Sequence, residues 1–423
     1  MRQIPDIQSL TSDAVELLKE MIAIPSPSFE EDAVCSHVSG WLSEHGIEHR
    51  RAGNNIIAEH IVDPAKPTLM LCAHMDTVSP SPEYSFDPYK PDYQTAAEVI
   101  GRTSGKECTP EDIVAGLGAN DDGASVVAMI AAYRYLTSPD GIGSGFENNP
   151  SHSYVVGQLA ETVHRTVSEP LACPCGQGGS TVFKTTANAA KTVHPNIILV
   201  LSCEEERSGK DGMTGLWPEI ASKVDFAIVG EPTGMKAATA ERGLLVIDAT
   251  AHGVSGHAAR NEGKNALYIA LEDIQKLRDH VFGKISPRMG KVNLNVTQIN
   301  AGSAHNVIPD RCDFVIDIRP TEQYSNEEIF AELQSICESE LKPRNLSNRS
   351  SATFEDSPLQ KAAEAMSIGT FSSPTTSDWM RISCDAIKMG PGESARSHKK
   401  DEFVFVEEIR KGIETYIEFI ESL

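Results

Sequence analysis

Thr68-Leu-Met-Leu-Cys-Ala73 runs without a charge and is followed at once by His74-Met-Asp76. A continuous run of this kind reads as a strand buried on both faces, because a half-exposed strand would alternate polar and apolar residues. Two more segments repeat the design. Asn196-Ile-Ile-Leu-Val-Leu-Ser202 leads to Glu204-Glu205-Glu206, and Val224-Asp-Phe-Ala-Ile-Val-Gly230 leads to Glu231-Pro-Thr. Around them the period becomes helical. Val15, Leu17, Leu18, Met21 and Ile22 recur at helix spacing behind a cap at Ser12-Asp13, and Pro25 and Pro27 end the run. Residues 31–44 and 124–136 also have helical patterns, and 55–58 are strand-like. Such alternation predicts an α/β fold built on an open, mostly parallel sheet flanked by helices.

Residues 238–346 follow another order: strand over 244–251, helix over 265–281, strands over 291–300 and 311–318, helix over 326–341, then a short last strand. That is βαββαβ, the ferredoxin-like α+β unit. The earlier pattern resumes near Ser351 and ends in a helix over 406–423. The expected organisation is a catalytic α/β domain in two parts, 1–237 and 347–423, interrupted by the smaller domain at 238–346. Residues 93–114 and 139–194 are rich in Gly, Ser, Thr, Pro and Asn and are expected to be surface insertions. Within the second, 154–167 has the pattern of a short helix. Cys173 and Cys175 with His152 or His164 do not amount to a tetrahedral site, since two cysteines alone do not define one.

The chain has 423 residues, 40% hydrophobic and 23% charged, ample for two cores and against wholesale disorder. Its 60 Asp and Glu exceed 37 Lys and Arg, for a net charge of −23. A surface so negative repels phosphate backbones and anionic lipid, so no nucleic-acid or membrane partner is expected. No run approaches the ~20 apolar residues of a membrane span. The nine cysteines are an odd number, scattered, and several lie in apolar strands, which fits free thiols in a reducing compartment. The N-terminus lacks the apolar stretch of a signal peptide, so the cytoplasm is the expected location.

The polar strand ends carry the chemistry. In an open parallel sheet, ligands collect at the carboxyl ends of the strands. His74-Met-Asp76, the three glutamates and Glu231 all stand there. The turn Gly116-Leu-Gly-Ala-Asn-Asp121-Asp122-Gly123 precedes a helix, and Gly390-Pro-Gly leads to His398. Each element alone has a plainer explanation: a surface pair, a solvated acidic turn, a tight turn. Carboxylates clustered behind an apolar strand, however, repel one another and lose solvation, and a bound cation removes that penalty.

Taken together, these segments resemble the dinuclear zinc amidohydrolases that include acetylornithine deacetylase, succinyl-diaminopimelate desuccinylase, carboxypeptidase G and the aminoacylases. Leu71-Cys-Ala-His-Met-Asp-Thr-Val, the 116–123 turn, Ser202-Cys-Glu-Glu-Glu, Val229-Gly-Glu-Pro-Thr, Gly256-His-Ala-Ala, Asn306-Val-Ile-Pro-Asp, Asp317-Ile-Arg and His398 after Gly390-Pro-Gly carry the likeness in the family's order. It spans nearly the whole chain apart from the two insertions, and the bacterial acetylornithine deacetylase branch is the most similar.

The resemblance implies two Zn²⁺, replaceable by Co²⁺ or Mn²⁺. His74, Asp121 and Glu231 would hold one ion, and Asp121, Glu206 and His398 the other. Asp76 would orient His74, Glu205 would be the general base, and His257 would stabilise the oxyanion across a homodimer interface. The family's usual Asp-Glu-Glu is here Glu204-Glu205-Glu206, so the register by one residue stays open. Arg319 and Asn306 are candidates for holding a substrate carboxylate, with Arg242, Arg260, Ser377 and Asp378 behind them. A cis peptide after Asp121 is also implied. The expected activity is hydrolysis of the amide of a small N-acyl amino acid, N-acetylornithine in arginine biosynthesis first. Succinyl-ornithine, acyl-citrulline, succinyl-diaminopimelate and dipeptides are the alternatives. A metal-free binding or scaffold relative would have lost a ligand or the base, and none is missing.

Overall fold

The computed structural model describes residues 6–138, 195–260 and 262–423. The expectations for 139–194, including the 154–167 helix, Cys173, Cys175, His152 and His164, lie outside these residues.

Strand Thr68–His74 is buried along its whole length. Its residues alternate between two cores, as the two-residue period of a strand requires. Leu69, Leu71 and Ala73 pack in the core that contains helices Ile7–Ile22, Gly123–Leu136 and Val406–Glu421. Met70 and Cys72 enter the opposite core with Met213, Leu216 and Trp217 of helix Met213–Ile220. The strand therefore separates two helical layers.

It lies in a nine-stranded sheet. The middle four strands, Asn196–Ser202, Thr68–His74, Phe226–Val229 and Asp385–Lys388, are mutually parallel in that order. Beyond them, Asn55–His60 and Arg50–Ala52 on one side and Ala237–Glu241 and Ser351–Ala352 on the other pair antiparallel, and Thr370–Ser373 pairs parallel with Ala237–Glu241. The sheet is thus mixed, with the expected parallel arrangement at its centre. His74 pairs with Ser202 and Cys72 with Val229, so the carboxyl ends of these strands line one edge.

Two local differences from the sequence reading have simple causes. The first helix starts at Ile7, before the expected Ser12-Asp13 cap, because Asp6 accepts the Ser9 N–H and Leu10 extends the buried stripe. Residues 93–114 are not an irregular insertion. They form helix Tyr93–Ser104, capped by Asp92 and ended by Gly105 at φ 69°, followed by strand Ile113–Ala115. The helix buries Ala96, Ala97 and Ile100 against Phe86, Phe403 and Phe405. Two of its three buried residues are alanine, so the stripe was faint in composition.

The smaller sheet is four-stranded and antiparallel, in the order Asn293–Ala301, Arg311–Arg319, Leu245–His252, Glu340–Pro343. Helices Ala266–Asp279 and Asn326–Ile336 bury Ile269, Leu277, Ile329 and Leu333 against Ile247, Phe314 and Ile316 of that sheet. The order is the expected βαββαβ. The second helix ends five residues early because Glu340–Pro343 pairs with Leu245–His252 instead.

Candidate metal centre

Strand Thr68–His74 delivers His74 into a buried position. Its Nδ1 lies 3.0 Å from the Asp76 carbonyl oxygen and 3.4 Å from Asp76 Oδ1. With the Nδ1 proton donated there, Nε2 is left with its lone pair free to act as a ligand. That Nε2 is 3.3 Å from Asp121 Oδ1. The other oxygen of the same carboxylate, Oδ2, is 3.7 Å from His398 Nε2. Asp121 thus stands between the two histidines, one oxygen toward each. His398 Nε2 is also 2.9 Å from Glu206 Oε1. The Asp121–Asp122 peptide is cis.

The three successive glutamates separate cleanly. Glu204 adopts φ 60° and turns its carboxylate back into its own loop, where Oε2 accepts the Asp211 N–H at 3.0 Å. Glu205 and Glu206 begin a short 3₁₀ turn. Their N–H groups donate to Asp76 Oδ1 and Oδ2 at 3.0 and 3.1 Å, and Ser28 Oγ donates to Oδ2 at 2.7 Å. Asp76 therefore orients the histidine and both glutamates together. Glu205 Oε2 comes to 3.9 Å from His74 Nε2. Glu231 arrives from the end of strand Phe226–Val229 through Gly230, where a Cβ would lie 2.7 Å from the Ser125 Cβ and 2.9 Å from Asp122 Oδ2. Only glycine fits so close an approach.

One ligand atom each from His74, Asp121 and Glu206 lie within 4.8 Å of one another, as do atoms of His74, Glu205 and Glu231. His398 joins the first group through Glu206 and Asp121. All five expected ligands and the expected base thus meet in one place. Loss of solvation pushes the Glu205 carboxyl well above its ordinary value; Glu231 and Glu206 add repulsion, while His74 opposes it. Glu231 is raised likewise, by lost solvation and then by Asp121, with Lys388 opposing. Burial works against charge on His74, yet Asp121, Asp76 and Glu205 hold its imidazole well above the usual histidine value. Glu206 raises His398 to about 9. Four carboxyl groups packed around two imidazoles thus relieve their mutual repulsion by holding protons, a task that divalent cations would take over. The mixed nitrogen and oxygen donors suit zinc and are compatible with cobalt or manganese.

His257, Asn306 and Arg319 stand on the smaller unit. His257 and Asn306 meet at a two-stranded ribbon, where Val307 pairs with His257 and the Asn306 carbonyl accepts the Ala258 N–H. His257 is exposed, and its Nδ1 accepts the Ala259 N–H. A neutral ring then carries its proton on Nε2, an available donor. Arg319 is engaged by Asp317, with Nε and a terminal nitrogen 2.8 and 3.1 Å from its two oxygens. Arg242 donates to the carbonyls of Lys291 and Arg319.

Several residues around the cluster were not singled out by sequence, or only weakly. Asp378 lines a small recess with His74, Glu205 and Glu231 and accepts the Ser202 hydroxyl at 2.6 Å; burial pushes its carboxyl up to about 6. Behind Glu231, the buried Lys388 pairs with Glu241 at 3.1 Å, and Ser377 donates to Glu241 at 2.7 Å. Glu402 accepts the N–H groups of Asn120 and Asp121. A lysine ending an apolar strand just before Gly390-Pro-Gly was a signal of sorts. Glu402 gave none, because its partners are main-chain groups.

Residues 239–345 match the peptidase dimerisation domain, and residues 55–152 match peptidase family M28. A succinyl-diaminopimelate desuccinylase of Wolbachia pipientis is 23% identical, over 97% of this chain and 93% of its own length. A probable carboxypeptidase of Emericella nidulans is 25% identical over 73% of this chain, which spans only 62% of that relative. An acetylornithine deacetylase of Myxococcus xanthus is 26% identical over 52% of this chain and 63% of its own. In fold, the chain is similar to the aminopeptidase PepT of Bacillus cereus, with a TM-score of 0.66 at 16% identity over 97% of this chain and 98% of that one. It is also similar to an M20 family metallo-carboxypeptidase of Sulfolobus solfataricus, with a TM-score of 0.65 at 14% identity over 96% and 98%. Residues 239–345 thus match the dimerisation domain of peptidases, the chain is similar along nearly its whole length to a desuccinylase, and its fold is shared with an M20 family metallo-carboxypeptidase.

Proposed function

We propose that this chain hydrolyses the amide bond of a small N-acyl amino acid, with His74, Asp121, Glu206, Glu231 and His398 holding a pair of divalent ions. The observation that carries the reading is the Asp121 carboxylate, whose two oxygens each face a different histidine. Bound there, the ions would supply Lewis acidity to the amide carbonyl and make water more acidic. Glu205 supplies the proton transfers. Hydrolysis puts hydroxyl on the acyl carbon and breaks the C–N bond. Glu205 takes the proton released by water and passes it to the departing nitrogen, which leaves as an amine. Its carboxyl, raised by its surroundings, is suited to holding that proton between the two steps. His257, with an exposed Nε2 donor, is proposed to stabilise the oxyanion from a second copy of the chain. Arg319 and Asn306 are proposed to contact the substrate carboxylate.

N-acetylornithine is the proposed substrate, on the motif resemblance. Succinyl-diaminopimelate is the second reading, favoured by similarity to desuccinylases over almost the full chain. A panel of acetyl- and succinyl-ornithine, acetyl- and succinyl-citrulline, succinyl-diaminopimelate and dipeptides, each with and without chelator, separates them. Amine release that chelator abolishes and zinc restores supports the reading. Turnover unaffected by exhaustive chelation contradicts it.

A further inference from the structure

The ribbon formed by Ile113–Ala115 and Phe403–Phe405 has an active-site loop at each of its adjoining ends. One strand runs forward into the turn that carries Asp121. The other is entered from the loop that carries His398. The pairing continues one step past the ribbon, where the Gly116 N–H donates to the Glu402 carbonyl at 2.9 Å. The Glu402 side chain, fully buried, then reaches across the gap. Its Oε1 accepts the N–H groups of Asn120 and Asp121, both at 2.9 Å.

The surroundings hold these loops face to face. Asn120 is buried; its Oδ1 accepts the Glu393 N–H at 2.9 Å, and its Nδ2 donates to the Glu393 carbonyl and to Ser397 Oγ at 3.2 and 3.4 Å. On the outer side, Asp401 accepts the N–H and hydroxyl of Ser85 at 2.6 and 2.9 Å. None of these contacts involves a ligand side chain. The Glu402 bond to the Asp121 N–H does reach the main chain of the residue that stands between the histidines.

We propose that Glu402 is a positioning residue of the metal centre: one carboxylate oxygen clamps the Asp121 turn to the His398 loop and thereby sets the spacing of the Asp121–Glu206–His398 half. This rests on the reading of the cluster as a site for paired ions. The position of the acceptor oxygen matters here. Glutamine keeps an oxygen at the same reach, whereas aspartate keeps the charge but withdraws it by roughly 1.5 Å.

The full-length protein, stripped of metal, is titrated with Zn²⁺ alone against a chromophoric chelator. Wild type takes up two equivalents. E402A and E402D keep the first and bind the second at least about tenfold more weakly, the scale seen when a ligand loses its supporting partner. E402Q retains both. If E402A does not fold, E402D carries the same test. Second-equivalent binding at wild-type strength in E402A or E402D overturns the clamp, as does an equal loss in E402Q. A wild-type chain that binds no pair of ions overturns the metal centre itself, a result distinct from failure of the clamp alone.

Discussion

Glu204 and Glu205 carry the same side chain one residue apart, and the backbone gives them opposite tasks. At Glu204 the left-handed conformation sends the carboxylate to the Asp211 N–H; at Glu205 it faces His74. Glu205→Gln is expected to lower kcat by about 10²–10⁴, the usual worth of a general base, with metal content unchanged. Glu204→Ala is expected to keep kcat and lose about 1 kcal/mol of stability with its hydrogen bond. Steady-state kinetics with metal analysis decides, and the reverse pattern would move the base by one residue. That His74, Asp121, Glu231 and His398 would gather in one place was legible because each follows a strand or a glycine turn at the edge where ligands collect. Glu402 was not, since the groups it bonds lie 281 and 282 residues away and are main-chain N–H donors. The register of the three glutamates was likewise closed to sequence, because it depends on one φ angle.

Strand Thr68–His74 was the most readable element, because burial on both faces leaves no room for a polar residue. Leu71 is completely buried between helices and sheet. Leu71→Ala is expected to cost about 2–5 kcal/mol, measured by denaturant unfolding. Helix Tyr93–Ser104 was the least readable, since alanine supplies most of its buried face. In the smaller unit, Asp273 ties helix Ala266–Asp279 to the turn that follows helix Asn326–Ile336. This buried carboxylate accepts the Glu338 N–H, the Ser339 N–H and hydroxyl, and Lys276 Nζ. Burial raises its pKa, but Lys276 and the Ser339 and Glu338 donors outweigh that and hold it below the usual carboxylate value. A lowered folded pKa means stabilisation that is complete above the unfolded value of about 4 and lost as pH falls through the folded one. Melting curves from pH 5 to pH 2 should therefore fall more steeply in wild type than in Asp273→Asn. Parallel curves for the two proteins would refute that role.

At the scale of the molecule, a parallel sheet edge collects the charged cluster, and a separate ferredoxin-like unit carries His257. If His257 works across an interface between copies, two inactive proteins complement each other. Mixing Glu205→Gln with His257→Ala, after dissociation and reassembly, should restore about one quarter of wild-type activity. Half the dimers are then mixed, and each has one intact site of two. No restoration would place His257 in its own subunit's site, and full activity of His257→Ala by itself would place the residue outside catalysis. The alternation of elements and the βαββαβ order were legible because each follows a hydrophobic period. The antiparallel outer strands were not, because periodicity does not encode strand direction. All of this turns on two cations sharing one cluster of side chains. The most direct test is an anomalous difference map from crystals of the zinc-loaded protein. Two peaks about 3.5–4 Å apart, one on each side of the Asp121 carboxylate, are the predicted result. A single peak, or peaks away from His74 and His398, would contradict the account.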